Sequence, residues 1–474
     1  MQLFNAYFYE IRTTNSGILL SVFCRSFALI LFLSPPGEAA KEILYYSAPG
    51  MIPGTTREMK SAGFWISRHP SPDKIILTPG EIVRFNAGIE NKLQLTRDIT
   101  ALPSPFSGSE VRAALEKMLR QFQDRTYYRS NGRRANAKFY EGARKSFNLD
   151  AVPAGIPLRY GVIVHYAHQR FFPSEEALYA RRNDVDFDEL QNNALDVGTP
   201  VAVLHTSLDG QWHYVESAAT PGWVRADAIA FCDLDGIKKF FTPEPFVVVI
   251  EPKTEIFLNS GRTEFYDDVR MGTKLPLVEP EGYGALDVQT VLIPFRDSSG
   301  ALTLRKAYVD KHDVNVGALP YTPRHIIEQA FRLLNAPYGW GGMYGEQDCS
   351  RFLQEVFATV GISLPRNSSE QAKVGRRLAQ FVQETPEEEK IAILKAQAVG
   401  GITVLPMKGH IMLFLGMVGE RPFAIHATWA YRERRGNNDV VRVINRVVVT
   451  DLSLGEGTKK GSLLKRLSSV MRIE

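Results

Sequence analysis

The stretch Pro337-Tyr338-Gly339-Trp340-Gly341-Gly342, followed by Asp348-Cys349-Ser350, constrains this chain more than any other segment. From Cys349 onward the apolar residues Phe352, Leu353, Val356, Phe357 and Val360 recur at helical spacing, so a helix begins at the cysteine. The glycines and Gly345-Glu346-Gln347-Asp348 before it read as a tight loop. A thiol at a helix N-terminus feels the positive end of the macrodipole, which lowers its pKa and favours the thiolate. Cys349 is therefore a candidate nucleophile, provided that a base reaches it.

A chain of 474 residues with 44% hydrophobic residues can build several cores. A net charge of +4 over that length makes no case for nucleic-acid binding, and no basic run is interleaved with aromatics. The basic tail Lys459–Arg472 carries enough apolar residues to dock as a last element. The cysteines are Cys24, Cys232 and Cys349. Cys24 falls in an apolar N-terminal segment, Ile18 to Leu33, broken by Arg25 and Ser26 and followed by Pro35, Pro36 and Gly37-Glu38-Ala39-Ala40. With Arg12 upstream and Ala39 or Ala40 at the cleavage site, residues 1–40 are expected to be a secretory signal peptide, placing the mature protein in the periplasm or cell envelope. Apolar stretches so short and interrupted do not make a stable membrane span. Cys232 reads as a small core residue rather than a partner for Cys349.

Past the leader, residues 41–158 mix polar turns with a helix over Gly108 to Gln123, opened by Ser109. Residues 159–235 carry short β-rich runs, at Tyr160–Tyr166, Pro200–His205, Trp212–Glu216 and Gly222–Val224, which suggest a small barrel. A second such stretch fills 236–318, with strands expected at Phe246–Ile250, Lys274–Val278, Thr290–Pro294 and Leu302–Val309. From residue 319 to 474 the pattern is α+β. Thr322-Pro323 opens a helix, the nucleophile helix follows, and Thr385-Pro386-Glu387-Glu388 reads as an N-cap with proline in the first helical position. Strands are then expected at Ile402–Leu405, His410–Leu415, Phe423–His426 and Val440–Val449.

His410 heads one of these strands, where a buried neutral imidazole could take the thiol proton. His426, on the next strand, is the expected orienting group, across a hairpin whose turn includes Gly419 and Pro422; strand register decides whether the imidazoles face the same way. Each residue taken alone has a structural alternative in core packing or hydrogen bonding. Cys349, His410 and His426 could also ligate zinc, but no fourth ligand stands at a recognisable spacing. His165, His168, His205 and His213 are read as structural.

Taken together, Tyr338-Gly339-Trp340-Gly341-Gly342, Asp348-Cys349-Ser350, Gly409-His410 and His426-Ala427 resemble the NlpC-type papain-like cysteine peptidases of bacterial cell-wall metabolism. The resemblance implies a multi-domain α+β chain: a papain-like C-terminal catalytic domain, two SH3-like β-barrels before it, and a mixed, partly helical N-terminal cap domain. Phe187-Asp188-Glu189-Leu190-Gln191, Val203 to Trp212 and Gly222-Trp223-Val224 resemble the first barrel, and Phe64 to Arg68 with Asn86 the cap. Arg351 stands where many members have glycine, and residues 366–401 are longer than in a minimal member.

By that resemblance Cys349 is the nucleophile, His410 the base and then the acid, His426 the orienting residue, and Tyr338 a hydroxyl placing the reacting carbonyl. The implied activity is hydrolysis of the γ-D-glutamyl–L-diamino acid bond, as to diaminopimelate, in peptidoglycan stem peptides or muropeptides, without a metal or other cofactor. A barrel that narrows the groove implies preference for a free N-terminal L-alanine, whose ammonium would meet Asp348 and Ser350. Asp188, Glu189 and Glu216 are candidates for a further barrel carboxylate there, each otherwise an ordinary surface residue. The alternatives are a silent wall-binding protein using its barrels, and a thiol amidase or acyltransferase on another amide.

Overall fold

The computed structural model describes residues 44–182, 184–278 and 287–474. The leader expected over 1–40 lies outside them. Among the described residues no helix is long and apolar enough to cross a membrane.

The first barrel is a seven-stranded sheet. Its strand order is Ile229–Cys232, Arg159–Ile163, Pro200–Thr206, Trp212–Glu216, Gly222–Arg225, Ala167–Arg170 and Gln191–Leu195. The last two strands were not foreseen, because Gln169, Arg170, Gln191 and Asn193 put polar side chains into the interior. The second barrel combines a three-stranded sheet (Lys274–Pro276, Phe246–Val249, Val314–Val316) with a four-stranded one. The latter orders Phe265–Arg270, Lys253–Phe257, Leu302–Asp310 and Val288–Arg296. Val247, Val249, Ile256, Val269, Val291 and Val309 are among the residues filling its core. Its strands at 253–257 and 265–270 also escaped the periodicity, since both are rich in charged residues.

In the C-terminal region a seven-stranded sheet runs Tyr45–Ser47, Asn438–Asp451, Arg421–Arg435, His410–Val418, Thr403–Met407, Ser469–Arg472 and Arg376–Gln380. The helices Pro323–Arg332 and Cys349–Ala358 bury Ile326, Ile327, Phe352, Leu353 and Val356 with Ile411, Leu413, Ile425, Val447 and Val449 of one sheet face. Met412, Phe414, Ala424 and Val448 pack on the other face with Leu394. The tail docks as expected, and its strand sits inside the sheet rather than at its edge.

The N-terminal domain expected over 41–158 is divided between two cores. Met59, Trp65, Ile66, Ile82 and Ile89 belong to the core of the nucleophile helix, and Tyr45–Ser47 pairs in parallel with Val441–Val443. Val111, Leu115, Leu119, Phe122 and Phe147 instead pack against Trp212, Tyr214 and Trp223 of the first barrel. Two caps also differ from expectation. The helix Gly108–Gln123 is capped by Ser107, whose hydroxyl accepts from the Glu110 amide. The helix Glu387–Gln397 has Pro386 as its N-cap, while the Thr385 hydroxyl accepts from the Val382 amide.

Candidate active site

Asp348 caps the nucleophile helix, accepting from the amides of Ser350 (3.1 Å) and Arg351 (2.9 Å), and Cys349 occupies the first helical position. The loop before it turns through Gly341 at φ 61 and Gly342 at φ 83. A β-carbon on Gly341 would lie 2.9 Å from the Gln191 carbonyl oxygen and 2.7 Å from its γ-carbon. Only glycine meets both the left-handed backbone and that approach. The first barrel grips the same loop. Gln191 Nε2 donates to the Gly341 carbonyl (3.2 Å), Tyr166 Oη to that of Gly342 (2.5 Å), and Trp340 Nε1 to that of Asp188 (3.0 Å). Gly341→Ala is expected to cost about 1–3 kcal/mol of folding stability, as overpacking and strain do, measured by denaturant unfolding. Activity should fall with it, because the loop seats the nucleophile.

The Ile411 amide hydrogen-bonds the Cys349 sulfur, which places the thiol at the start of the strand headed by His410. His410 Nε2 lies 2.7 Å from His426 Nδ1, and His426 Nε2 lies 3.0 Å from Thr450 Oγ1. The hairpin register sets Leu413 opposite Ile425, which brings both imidazoles to one side. Its turn is Gly419-Glu420, and Pro422 lies in the ladder opposite Met417. With Nε2 of His410 engaged, its Nδ1 is the ring nitrogen left free of that contact. If His410 Nε2–H donates to His426 Nδ1, then His426 Nε2–H donates to Thr450.

Electrostatics correct the expectation of a depressed thiol pKa. Burial pushes Cys349 up to about 12, and the Asp348 carboxylate adds to the rise. Burial also pushes His410 down to about 3, with the Arg466 guanidinium adding to it, and holds His426 well below its ordinary value. The resting pair is thus thiol and neutral imidazole; desolvation outweighs the helix end. A depressed imidazole pKa keeps the base neutral to lower pH. The acid limb of kcat/KM is therefore expected below the ordinary histidine value near 6.5, with a flat profile through that region, read from initial rates across pH.

Tyr338 stands beside Cys349 and Asp348, and burial first, then those two groups, raise its hydroxyl well above the ordinary value. It stays a protonated donor. Phe187 of the first barrel closes on Tyr338, Trp340 and Trp429 with ring centroids 6.5, 5.3 and 5.1 Å away. A cavity of about 340 Å³ continues past Phe187 and Trp429, bounded by barrel residues on one side and catalytic-domain residues on the other.

The structure reassigns several expected contacts. The Asp348 carboxylate is bound by Arg366, with Nη2 to Oδ2 at 2.5 Å and Nη1 to Oδ1 at 3.1 Å, so an arriving ammonium meets a compensated anion. Ser350 Oγ donates to Asp348 (2.9 Å) and accepts from Arg366 (2.9 Å). Arg366 also donates to Asn193 of the barrel at 2.9 Å. Asp188 and Glu216 are buried, not surface, residues: Asp188 pairs with Arg170 at 2.9 Å and Glu216 with Arg97 at 3.5 Å. Glu189 is the one of the three that lines the cavity. Arg351 reaches Asp196 of the first barrel (2.8 Å) and Glu355 one turn along (2.9 Å), and Asp196 also takes Arg270 of the second barrel at 2.9 Å. His205 bonds the Phe147 carbonyl and His213 the Thr206 hydroxyl, both away from the nucleophile. Cys232 and Cys349 are unbonded thiols, and among the described residues no three His, Cys, Asp or Glu side chains are grouped as metal ligands. Thr450 and Arg366 were missed by sequence reasoning. Thr450 lies on an apolar strand whose threonine reads as β-propensity, and Arg366 carries no spacing signal relative to Asp348.

Residues 335–428 match the NlpC/P60 family and residues 177–225 match the SH3 domain of SH3b1 type. A γ-D-glutamyl-L-lysine dipeptidyl-peptidase of Bacillus subtilis is 28% identical over 185 residues, 37% of this chain and 55% of the relative. One from Bacillus cereus is 26% identical over 162 residues, 33% of this chain and 44% of the relative. The chain thus spans about half the length of the curated relatives it matches. Among solved structures, an NlpC/P60 endopeptidase from Photobacterium damselae subsp. piscicida shares the fold, with a TM-score of 0.70 and 22% identity, covering 87% of this chain and 96% of that one.

Proposed function

We propose that this chain, a member of the NlpC/P60 family through its C-terminal domain, is a cysteine endopeptidase hydrolysing the γ-D-glutamyl–L-diamino acid bond of peptidoglycan stem peptides. The observation that carries the reading is the buried line from Cys349, through the strand start at His410-Ile411, to His426 and Thr450. Such a line suits acyl transfer, in which one imidazole must accept and return a proton in a fixed orientation.

In this reading His410 Nδ1 takes the thiol proton as sulfur forms a bond to the γ-glutamyl carbonyl carbon. The carbonyl electron pair moves onto oxygen, where the Tyr338 hydroxyl and the Cys349 amide donate to it. The oxyanion then collapses, the C–N bond breaks, and protonated His410 gives its proton to the leaving amine. Water attacks the thioester with His410 again the base, releasing the γ-glutamyl carboxyl product and the thiol. Phe187 narrows the groove beside Tyr338 and Trp340, which supports selection of stems with a free L-alanine amine. Such a substrate is met in the cell envelope, so we include export in the proposal; fractionation of cells expressing the full chain tests it.

The deciding experiment is mass-spectrometric analysis of defined stem peptides with residues 41–474 and with the Cys349→Ala protein. Cysteine-dependent cleavage after γ-D-glutamate, of the free-amine stem only, is the expected result. Cleavage of blocked stems as well would remove the amine selection. No cleavage, with retained binding to peptidoglycan, would replace the peptidase by the wall-binding reading.

A further inference from the structure

The loop before the nucleophile is held from outside. Four of its residues have left-handed backbone: Gly341 at φ 61, Gly342 at φ 83, Tyr344 at φ 62 and Gly345 at φ 66. Tyr344 is the costly one, because a side chain crowds the backbone there, and such a conformation persists only where surrounding groups fix it. Its ring is exposed and does not supply the fixing.

The fixing bonds come from the barrels. The Tyr166 hydroxyl uses both of its hydrogen-bonding roles on the loop, donating to the Gly342 carbonyl (2.5 Å) and accepting from the Gly345 amide (3.2 Å). It thereby ties Gly342 to Gly345 across the turn. Burial raises the Tyr166 pKa, so the donor stays protonated. Tyr166 is itself fixed from several sides. Its amide donates to Asp267 of the second barrel (2.9 Å), its ring meets that of His168 edge-on at 5.4 Å, and the Arg270 guanidinium lies 5.5 Å from the ring centroid. Lys253 of the second barrel reaches the same loop, with Nζ donating to Glu346 (2.8 Å) and to the Tyr344 carbonyl (3.4 Å).

The loop in turn sets the reacting groups. The Gly341 amide donates at 3.2 Å to the Asp348 carboxylate, which caps the helix of Cys349. The Gly339 amide donates to the Gln347 carbonyl (3.1 Å), which ties the residue after Tyr338 to the residue before Asp348. Tyr338 and Cys349 are therefore the two arms of one loop, and their relative placement depends on how that loop is closed. A misplacement of about 1 Å between reacting groups costs about 10²-fold in rate.

We propose that Tyr166, with Lys253 behind it, is a positioning residue for the acyl-transfer step: its hydroxyl fixes the left-handed loop so that Tyr338 and Cys349 meet the same carbonyl. Both of its hydroxyl bonds are to backbone, so it acts through the loop and not on the substrate. This rests on the peptidase reading and adds to it that a barrel, besides bordering the groove, sets the geometry of the nucleophile.

The test removes the hydroxyl and keeps the ring, as Tyr166→Phe. Tyr266→Phe is the control. The Tyr266 hydroxyl lies 2.6 Å from the Val164 carbonyl and 3.1 Å from that of Pro294, so it joins the two barrels and not the loop. Steady-state and single-turnover kinetics are measured on L-Ala-γ-D-Glu-meso-diaminopimelate with the full chain and both variants. Tyr166→Phe is expected to lower kcat about ten- to a hundredfold with KM changed by less than about threefold, because the loss is confined to the transition state. Tyr266→Phe is expected to keep kcat within about twofold, while its denaturant midpoint falls by a similar amount, since each variant loses one hydrogen-bonded hydroxyl. An unchanged kcat in Tyr166→Phe, a loss confined to KM, or a kcat loss shared by Tyr266→Phe overturns the assignment. Should Tyr166→Phe fail to fold by circular dichroism, Lys253→Met, which removes the second barrel's bonds to the loop, is read by the same criteria. If the unsubstituted protein cuts no stem peptide, the peptidase reading fails, and amide hydrogen exchange decides the role of Tyr166 separately. Tyr166→Phe is then expected to speed exchange across residues 341–348 about tenfold, the effect of one lost hydrogen bond, with residues 421–451 unchanged. Unchanged exchange in the loop overturns the assignment in that case too.

Discussion

His410→Ala is expected to lower kcat on a stem peptide by about 10²–10⁴-fold, the usual contribution of a positioned general base, and Cys349→Ala to leave no thioester chemistry. The two losses should not add. In the proposed mechanism nucleophile and base act as one unit, so the double variant is expected to be no slower than Cys349→Ala. His426→Ala removes the acceptor 2.7 Å from His410 Nε2 and frees the imidazole to turn, so its loss should appear mainly in kcat, with KM little changed. Single-turnover kinetics on a labelled stem peptide separate these cases. Full activity of His410→Ala would exclude the imidazole as base. It would also leave a thiol raised to about 12 without an activating group.

The largest stability effect is expected at Asp196→Asn. Asp196 is buried between Arg270 of the second barrel and Arg351 of the nucleophile helix, accepting from both. Burial alone would raise its pKa, but the two guanidinia hold it below the ordinary carboxylate value. Removing its charge leaves two largely buried cations with Glu355 as the ion-pair partner they still share. Breaking a buried pair in this way costs about 3–5 kcal/mol, measured by the shift in denaturant midpoint at constant slope. The exposed pair Lys395–Glu420 provides the contrast. Glu420→Gln is expected to change stability by no more than about 1 kcal/mol, because water and salt already screen that pair. Asp196→Asn should also slow turnover, since Arg351 holds the first turn of the helix that carries Cys349.

Arg351 also marks where family likeness and physical role separate. Its position differs from the glycine common in such peptidases, and the local sequence supplies only Glu355, one turn along, as a partner for the charge. The structure supplies the partner from another domain, Asp196, 155 residues earlier in the chain. The N-terminal region makes the same point in packing. Trp65 buries its ring against Phe423, and Asn86 bonds the Gly361 carbonyl (2.8 Å) and the Ser363 amide (3.0 Å), so residues near 60–90 brace the catalytic core. The helix at 108–123, next along the chain, braces the first barrel instead.

What this sequence determined by itself is what short-range physics encodes. The helix at Cys349 follows from apolar spacing, its start from a side chain that can cap, and the loop before it from glycines that tolerate left-handed backbone. The strand positions of His410 and His426 follow from apolar runs of the right length. Tertiary structure decided everything that depends on partners distant in the chain. The strands at 376–380 and 469–472 pair with each other across more than half of the C-terminal domain, a contact no local pattern encodes. Thr450 joins the histidines only through register, and Arg366 compensates Asp348 only because the fold brings the two together. The reversal of the thiol pKa has the same cause. The helix end acts locally and favours the thiolate, whereas desolvation comes from the core that helix and sheet form around Cys349, and it is the larger effect.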